Sequence, residues 1–223
     1  MTAAIGVGGG TMMLAALATV LPGMEIVPVH STVQLGSNAG RALLARAHID
    51  WRRTGWIILG AVVGTLAAAP LVMYVLTPRM LEGLIGVFIL INLWMPLPSL
   101  GKRIKHSAPF FGLIVSFIGV FVSAVGPLVS SYLKRDALPR LPLVATMAAT
   151  LVGINLLRLT MFSVTGFDWS AWIALILILV AAGFAGTRVG LMLLGRMPER
   201  LFQRILQLLL TLIGLRLLWS ALL

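Results

Sequence analysis

Apolar residues run along this chain in blocks of about twenty, the length that matters for a bilayer-crossing helix, and the interruptions fall at Pro, Gly and charge. The breaks define eight apolar segments, at 1–21, 28–47, 54–76, 79–98, 108–133, 140–163, 169–194 and 199–222. Thr54 to Leu76, Ser107 to Leu133 and Trp169 to Thr187 are free of charge and each long enough to cross the hydrocarbon core as helix. Inside the second segment the pattern changes. His30, Gln34, Asn38 and Arg41 recur at helical spacing with Ser31 beside them, so a polar stripe lines one face of an otherwise apolar helix. The same face of segment 6 is poorer, with Met147, Leu151, Asn155 and Arg158.

Composition agrees with the pattern. Of 223 residues 60% are hydrophobic and 10% charged, where a soluble domain carries about a quarter charged. The chain therefore reads as an all-α polytopic membrane protein whose solvent is the lipid bilayer. The net charge of +11 does not point to nucleic acid, because the cations stand in short clusters between apolar runs. Arg52-Arg53, Lys102-Arg103-Lys105 and Lys134-Arg135 are placed as orientation signals. The absence of cysteine excludes disulfides, thiolate metal sites and cysteine nucleophiles. The N-terminus shows neither the basic region nor the small-residue site of a cleavable signal.

Two halves are visible. Gly36 to Arg41 and Gly153 to Arg158 share the form G-x-N-x-x-R, 117 residues apart. Asp50-Trp51 answers Asp168-Trp169, Gly64-Thr65 answers Gly186-Thr187, and Thr77-Pro78 answers Met197-Pro198, all in the same order. Two four-segment repeats follow, 1–101 and 102–223, with Leu97 to Gly101 as the linker-like stretch.

Charge orients them. With eight full crossings, the loops on the two sides hold 7 and 8 Lys or Arg. If segment 5 enters and leaves on one face, the counts become 14 and 1, as the positive-inside rule prefers. The repeats are then inverted, a plan common among secondary transporters. Segment 5 suits re-entry, because Gly126-Pro127 interrupts it. By symmetry segment 1 should break at Gly6-Val7-Gly8-Gly9-Gly10, yet only about five residues precede the glycines. Symmetry favours a recorded start downstream of the true one, leaving the first repeat short of an arm.

Intramembrane polar groups are costly and tend to face an interior or a cavity. Asn38 and Asn155 could join helices or bind substrate, and their presence in both halves favours substrate. Arg41, near the basic end of segment 2, could equally snorkel to the interface. Arg158 lies toward the side almost free of cations, which fits snorkelling less well. At a helix break, Gly8, Gly9 and Gly10 would turn backbone N–H groups toward an anion, or would pack helices closely. The six acids, Glu25, Asp50, Glu82, Asp136, Asp168 and Glu199, all stand at segment ends, so no span carries a carboxylate for a cation. Anionic cargo is favoured. Proton coupling would fall to His30, Glu25 or the cargo itself, with His30 read first as an interface residue. No nucleophile–base pair, paired carboxylates or metal-ligand spacing appears, and the eleven Met residues read as core filler.

Several short motifs, in order, resemble the sulfite exporter TauE/SafE family of membrane permeases. They are Ile5 to Gly10, His30-Ser31-Thr32, Ile49-Asp50-Trp51, Gly60 to Gly64, Phe167-Asp168-Trp169 and Gly183 to Gly190. The second half departs from the family's glycine run with Ser123-Ala124-Val125-Gly126-Pro127. The resemblance implies a multi-pass inner-membrane secondary carrier for small, mostly sulfur-containing anions such as sulfite or organosulfonates; the residues themselves call for no cofactor or metal. The expected substrate-binding residues are Asn38, Arg41, Asn155, Arg158, Ser31, Gln34, Gly8, Gly9 and Gly10, with alternating access from rocking halves. The competing reading is a membrane scaffold or assembly factor, which predicts that Asn and Arg can be replaced by Leu without loss.

Overall fold

The computed structural model describes residues 3–95, 107–134, 138–194 and 199–222. The expected linker Leu97 to Gly101, the cluster Lys102 to Lys105, Arg135 and the Met197-Pro198 pair lie outside them. All the regular structure among these residues is helical: α1 (Ala3–Val20), α2 (Gly23–Leu44), α3 (Trp51–Tyr74), α4 (Pro78–Trp94), α5 (Ser107–Val122), α6 (Gly126–Lys134), α7 (Arg140–Val164), α8 (Ile173–Leu194) and α9 (Glu199–Leu222). Among the described residues three stretches, Trp51–Tyr74, Arg140–Val164 and Arg204–Leu222, are long and apolar enough to cross a membrane. This is an all-α polytopic membrane protein.

Local chemistry explains the ends. Asp50 caps α3 by accepting from the Arg53 N–H at 3.0 Å. Asp168 does the equivalent for the 3₁₀ turn Ser170–Trp172 that opens α8, accepting from the Ser170 hydroxyl at 2.6 Å and amide at 2.9 Å. Those bonds hold the Asp168 carboxyl below its ordinary range. Thr77 caps α4, and Pro78 follows at the first helical position, where its missing N–H costs no bond.

Segment 5 is broken as expected, but earlier. The interruption falls at Ser123-Ala124-Val125, and Gly126-Pro127 opens α6. Pro is tolerated in a first helical turn, so the helix stops before the Gly-Pro pair. Ser123 itself takes φ +56°, a left-handed conformation unusual for a residue with a side chain. Beyond the break the chain folds back. Tyr132 of α6 stacks on Phe111 of α5 with ring centroids 4.0 Å apart, and its hydroxyl lies 3.1 Å from Ser107 Oγ. The hairpin therefore begins and ends at one end of the bundle.

Segment 1 corrects the sequence reading. Gly6 to Gly10 do not break it; they lie inside the continuous helix α1. The backbone N–H groups of Gly8, Gly9 and Gly10 are thus committed to the helix and do not turn outward.

Helix α7 is central. It runs antiparallel to α2, with Ser31 near Arg158 at one end of the contact and Ala42 and Ala45 near Ala145 and Ala149 at the other. It runs parallel to α3, where the Asp50 N–H donates to Thr146 Oγ1 at 3.0 Å and a side chain on Gly153 would strike Ile58. Its partner contact is reciprocal, because a Cβ on Gly36 would touch Val180 of α8 at 3.7 Å. α4 and α9 also pack antiparallel, with Glu82 bonded to Ser220 and Trp94 to Thr211.

These directions place Arg46 and Lys134 at one end of the bundle and Val75 at the other. The chain has no natural cysteine, so the arrangement is open to labelling. Arg46→Cys and Lys134→Cys are expected to react with an impermeant maleimide from one face of sealed vesicles, and Val75→Cys from the opposite face. Labelling of positions 46 and 134 from opposite faces would contradict the hairpin.

Candidate functional site

The break in segment 5 meets α2, α7 and α1 in the interior. Arg158 of α7 is completely buried, as are His30 and Ser31 of α2, with Ser123 and Asn155 nearly so. Arg158 Nη1 donates to the Ser123 carbonyl at 2.8 Å, to Asn155 Oδ1 at 3.2 Å and to Ser123 Oγ at 3.3 Å, with Ser31 Oγ at 3.5 Å. Asn155 lies one turn before Arg158 on the same helix, which is why G-x-N-x-x-R spacing can aim the guanidinium. Helix ends leave backbone groups without intrahelical partners; at this break the Ser123 carbonyl accepts from Arg158 Nη1 and from the Val125 N–H at 2.9 Å.

His30 is held at both nitrogens, Nδ1 2.7 Å from Ser123 Oγ and Nε2 2.9 Å from the Gly10 carbonyl oxygen. It is not an interface residue. A carbonyl only accepts, so Nε2 donates and carries a hydrogen. Ser123 Oγ also lies 2.9 Å from Ser31 Oγ. Ser123 thereby joins His30, Ser31 and Arg158.

The guanidinium is only half used. Its Nε and Nη2 are buried and have no hydrogen-bond partner. These two nitrogens form one edge of the planar group, the edge that meets oxoanions in bidentate fashion. Among the described residues no carboxylate pairs with it. Leaving a buried charge uncompensated costs several kcal/mol. Gly119 makes room for the group, since a Cβ there would run into Nη2 and stand 3.0 Å from Cζ.

The other expected residues are distributed around this centre. Gln34, half-buried, sets its amide against Gly10 so closely that a side chain at position 10 would overlap it. Gly10 contributes its carbonyl and its smallness, not an N–H. Asn38 is buried and its Oδ1 is unpartnered. It lies seven residues along α2 from Ser31, about 10 Å away, and outside the cluster. Arg41 is turned back on its own helix, Nε donating to the Ser37 carbonyl at 3.3 Å and Nη2 to Ser37 Oγ at 3.2 Å. Gly9 is exposed and faces open space. Gly8 sits in α1 among residues whose surroundings are not described. The repeat thus marks two Asn–Arg pairs, and one of them builds the centre.

Ser123 and Gly119 were missed by sequence reasoning. The available signal for Ser123 was a lone hydroxyl immediately before the helix break. Gly119 gave none beyond being a glycine in a span.

Residues 1–217 match the sulfite exporter TauE/SafE family. The chain belongs to that family. No curated protein and no solved structure matches it. The family implies a membrane permease, and the matched residues include every residue of the Arg158 centre.

Proposed function

We propose that this TauE/SafE chain is a secondary permease for small oxoanions, sulfite or organosulfonates among them, in the inner membrane. The observation that carries the reading is the buried Arg158, with no carboxylate partner among the described residues and with its Nε and Nη2 edge unpartnered. Two oxygens on one central atom match that edge, whereas a halide offers a single point. Asn155 and the Ser123 carbonyl fix Nη1 and so aim the free edge.

The helix packing supports transport by alternating access between inverted halves of 1–101 and 102–223. Under the duplication Gly36 matches Gly153 and Ile58 matches Val180, and Gly36 meets Val180 as Gly153 meets Ile58. Matched helices α2 and α7 pack antiparallel, as do α4 and α9. A two-fold axis along the membrane normal would make them parallel, so the pattern favours an axis in the membrane plane.

Flux into proteoliposomes across a panel of small anions tests the function. Sulfite or a sulfonate is expected to enter saturably. In Asn155→Leu the loss of one charge-assisted bond that aims Arg158 lowers the saturable flux about tenfold or more. No flux for any anion from folded protein would overturn the reading.

A further inference from the structure

Resting on that reading of Arg158, we infer that the site takes up one proton with each anion, and that the proton resides on Nδ1 of His30.

The geometry fixes the direction of the hydrogen bonds. With Nε2 donating to Gly10, Nδ1 of the neutral ring is a bare acceptor, and Ser123 must aim its hydroxyl hydrogen at it across 2.7 Å. Ser123 Oγ then offers Ser31 only lone pairs, so Ser31 donates to Ser123 across 2.9 Å. Both serine hydrogens point toward the imidazole. Ser31 turns an acceptor toward Arg158, whose Nη1 lies at 3.5 Å.

A proton on Nδ1 reverses this file. The imidazolium donates to Ser123 Oγ, Ser123 turns its hydrogen to Ser31, and the Ser31 hydrogen is released toward the Arg158 side. An anion on the free edge of Arg158 gains a nearby donor and a second positive charge. Without an anion, two cations would share one buried site with no carboxylate between them. Proton and anion therefore favour each other, and the coupling is reciprocal.

Among the described residues of the surrounding elements, Glu25 of α2 is the other group able to hold the proton, its Oε2 buried without a hydrogen-bond partner, and the His30→Gln variant below separates it from His30. Ala3–Val20 of α1 has no ionisable side chain, and the α5–α6 hairpin has none before Tyr132 and Lys134 at its far end. α7 adds Arg140 at its opposite end, and α2 carries Glu25 and Arg41, five and eleven residues from His30. Arg79 and Glu82 stand in the first turns of α4, and residues 173–183 of α8 have no ionisable group. Arg158 is the cation that shares Ser123 with His30.

Methanesulfonate is a suitable probe because it stays ionised at every pH used. Its equilibrium binding to purified wild-type protein is expected to tighten about tenfold per unit of pH as pH falls from 8 to 6, the slope of one proton taken up with each anion. In proteoliposomes, a methanesulfonate gradient is expected to acidify the lumen, read by a trapped pH dye. His30→Gln is expected to keep saturable binding and lose both effects. His48→Gln, in the exposed 3₁₀ turn Arg46–His48, keeps both. If His30→Gln does not fold, Ser123→Ala removes the imidazolium's acceptor and is expected to flatten the pH dependence. Wild-type binding equally tight at pH 8 and pH 6 would overturn the proton site and leave the anion site standing. An undiminished pH dependence in His30→Gln, or in Ser123→Ala where that variant is used, would also overturn it. Absence of saturable binding at any pH would overturn both readings.

Discussion

Arg158→Lys is expected to weaken methanesulfonate binding roughly 100-fold while the protein still folds, because losing a hydrogen bond to a charged group costs about 1.5–3 kcal/mol. The substitution keeps the charge and changes its shape. A lysine ammonium can replace Nη1 in donating to the Ser123 carbonyl and Asn155 Oδ1, which lie 2.8 and 3.2 Å from Nη1. It has no second edge. Once those bonds are made, the parallel pair of donors that Nε and Nη2 present is gone. If electrostatic potential alone held the anion, Lys would serve nearly as well. Equilibrium binding separates the two cases: a dissociation constant within a few-fold of wild type would show that the free edge is not the anion's seat. Chloride, which cannot use two donors through two oxygens, is expected to respond far less than methanesulfonate.

The helices were legible because crossing a bilayer demands long uncharged runs, and the sequence supplies them. The expectation of inverted halves came from charge, because loops must sort their Lys and Arg. What failed was local. Gly6 to Gly10 read as a break by symmetry with segment 5, but inside a membrane the backbone bonds are worth keeping and the run stays helical. Gly126-Pro127 marked the second break correctly to within a few residues. The polar stripe of α2 was read whole from its spacing, yet the structure divides it. Ser31 and His30 join Ser123, whereas Arg41 folds onto Ser37. Spacing reports which face a residue occupies, not which neighbour crosses that face. His30 and Ser31 correspond in the repeat to Met147 and Ala148, so symmetry offered no hint that they mattered. The decisive partner, Ser123, adopts a left-handed backbone that sequence patterns assign to glycine or asparagine.

Gly60→Ala is expected to lower the melting temperature of the purified protein sharply, and Gly60→Ala with Gly64→Ala to leave little folded material. α3 and α5 run parallel at a separation that only glycine permits. A Cβ on Gly60 would overlap the Pro109 carbonyl oxygen, one on Gly64 the Leu113 carbonyl, and one on Gly112 the Ile57 carbonyl. These obstacles are backbone, so no side chain can turn aside. Overpacking of this kind costs roughly 1–3 kcal/mol per site. The G-x-x-x-G spacing of Gly60 and Gly64 puts both on one face of α3, the pattern by which membrane helices approach closely without a hydrophobic drive between them. Deeper along the same contact Thr65 Oγ1 and Ser116 Oγ are buried and 2.7 Å apart. A wider spacing would strand both hydroxyls in an apolar interior. Gly55→Ala, in the same helix but facing open space, serves as the control. It should be neutral or slightly stabilising, since alanine is the better helix former by about 0.5–1 kcal/mol. Equal melting temperatures for the Gly55 and Gly60 variants would show that the two helices are not in backbone contact. The effect is expected to reach function as well. α5 is the arm that carries Ser123 to His30 and Arg158, so variants mild enough to fold should still transport poorly, and the deficit should grow with each added methyl along the α3–α5 contact.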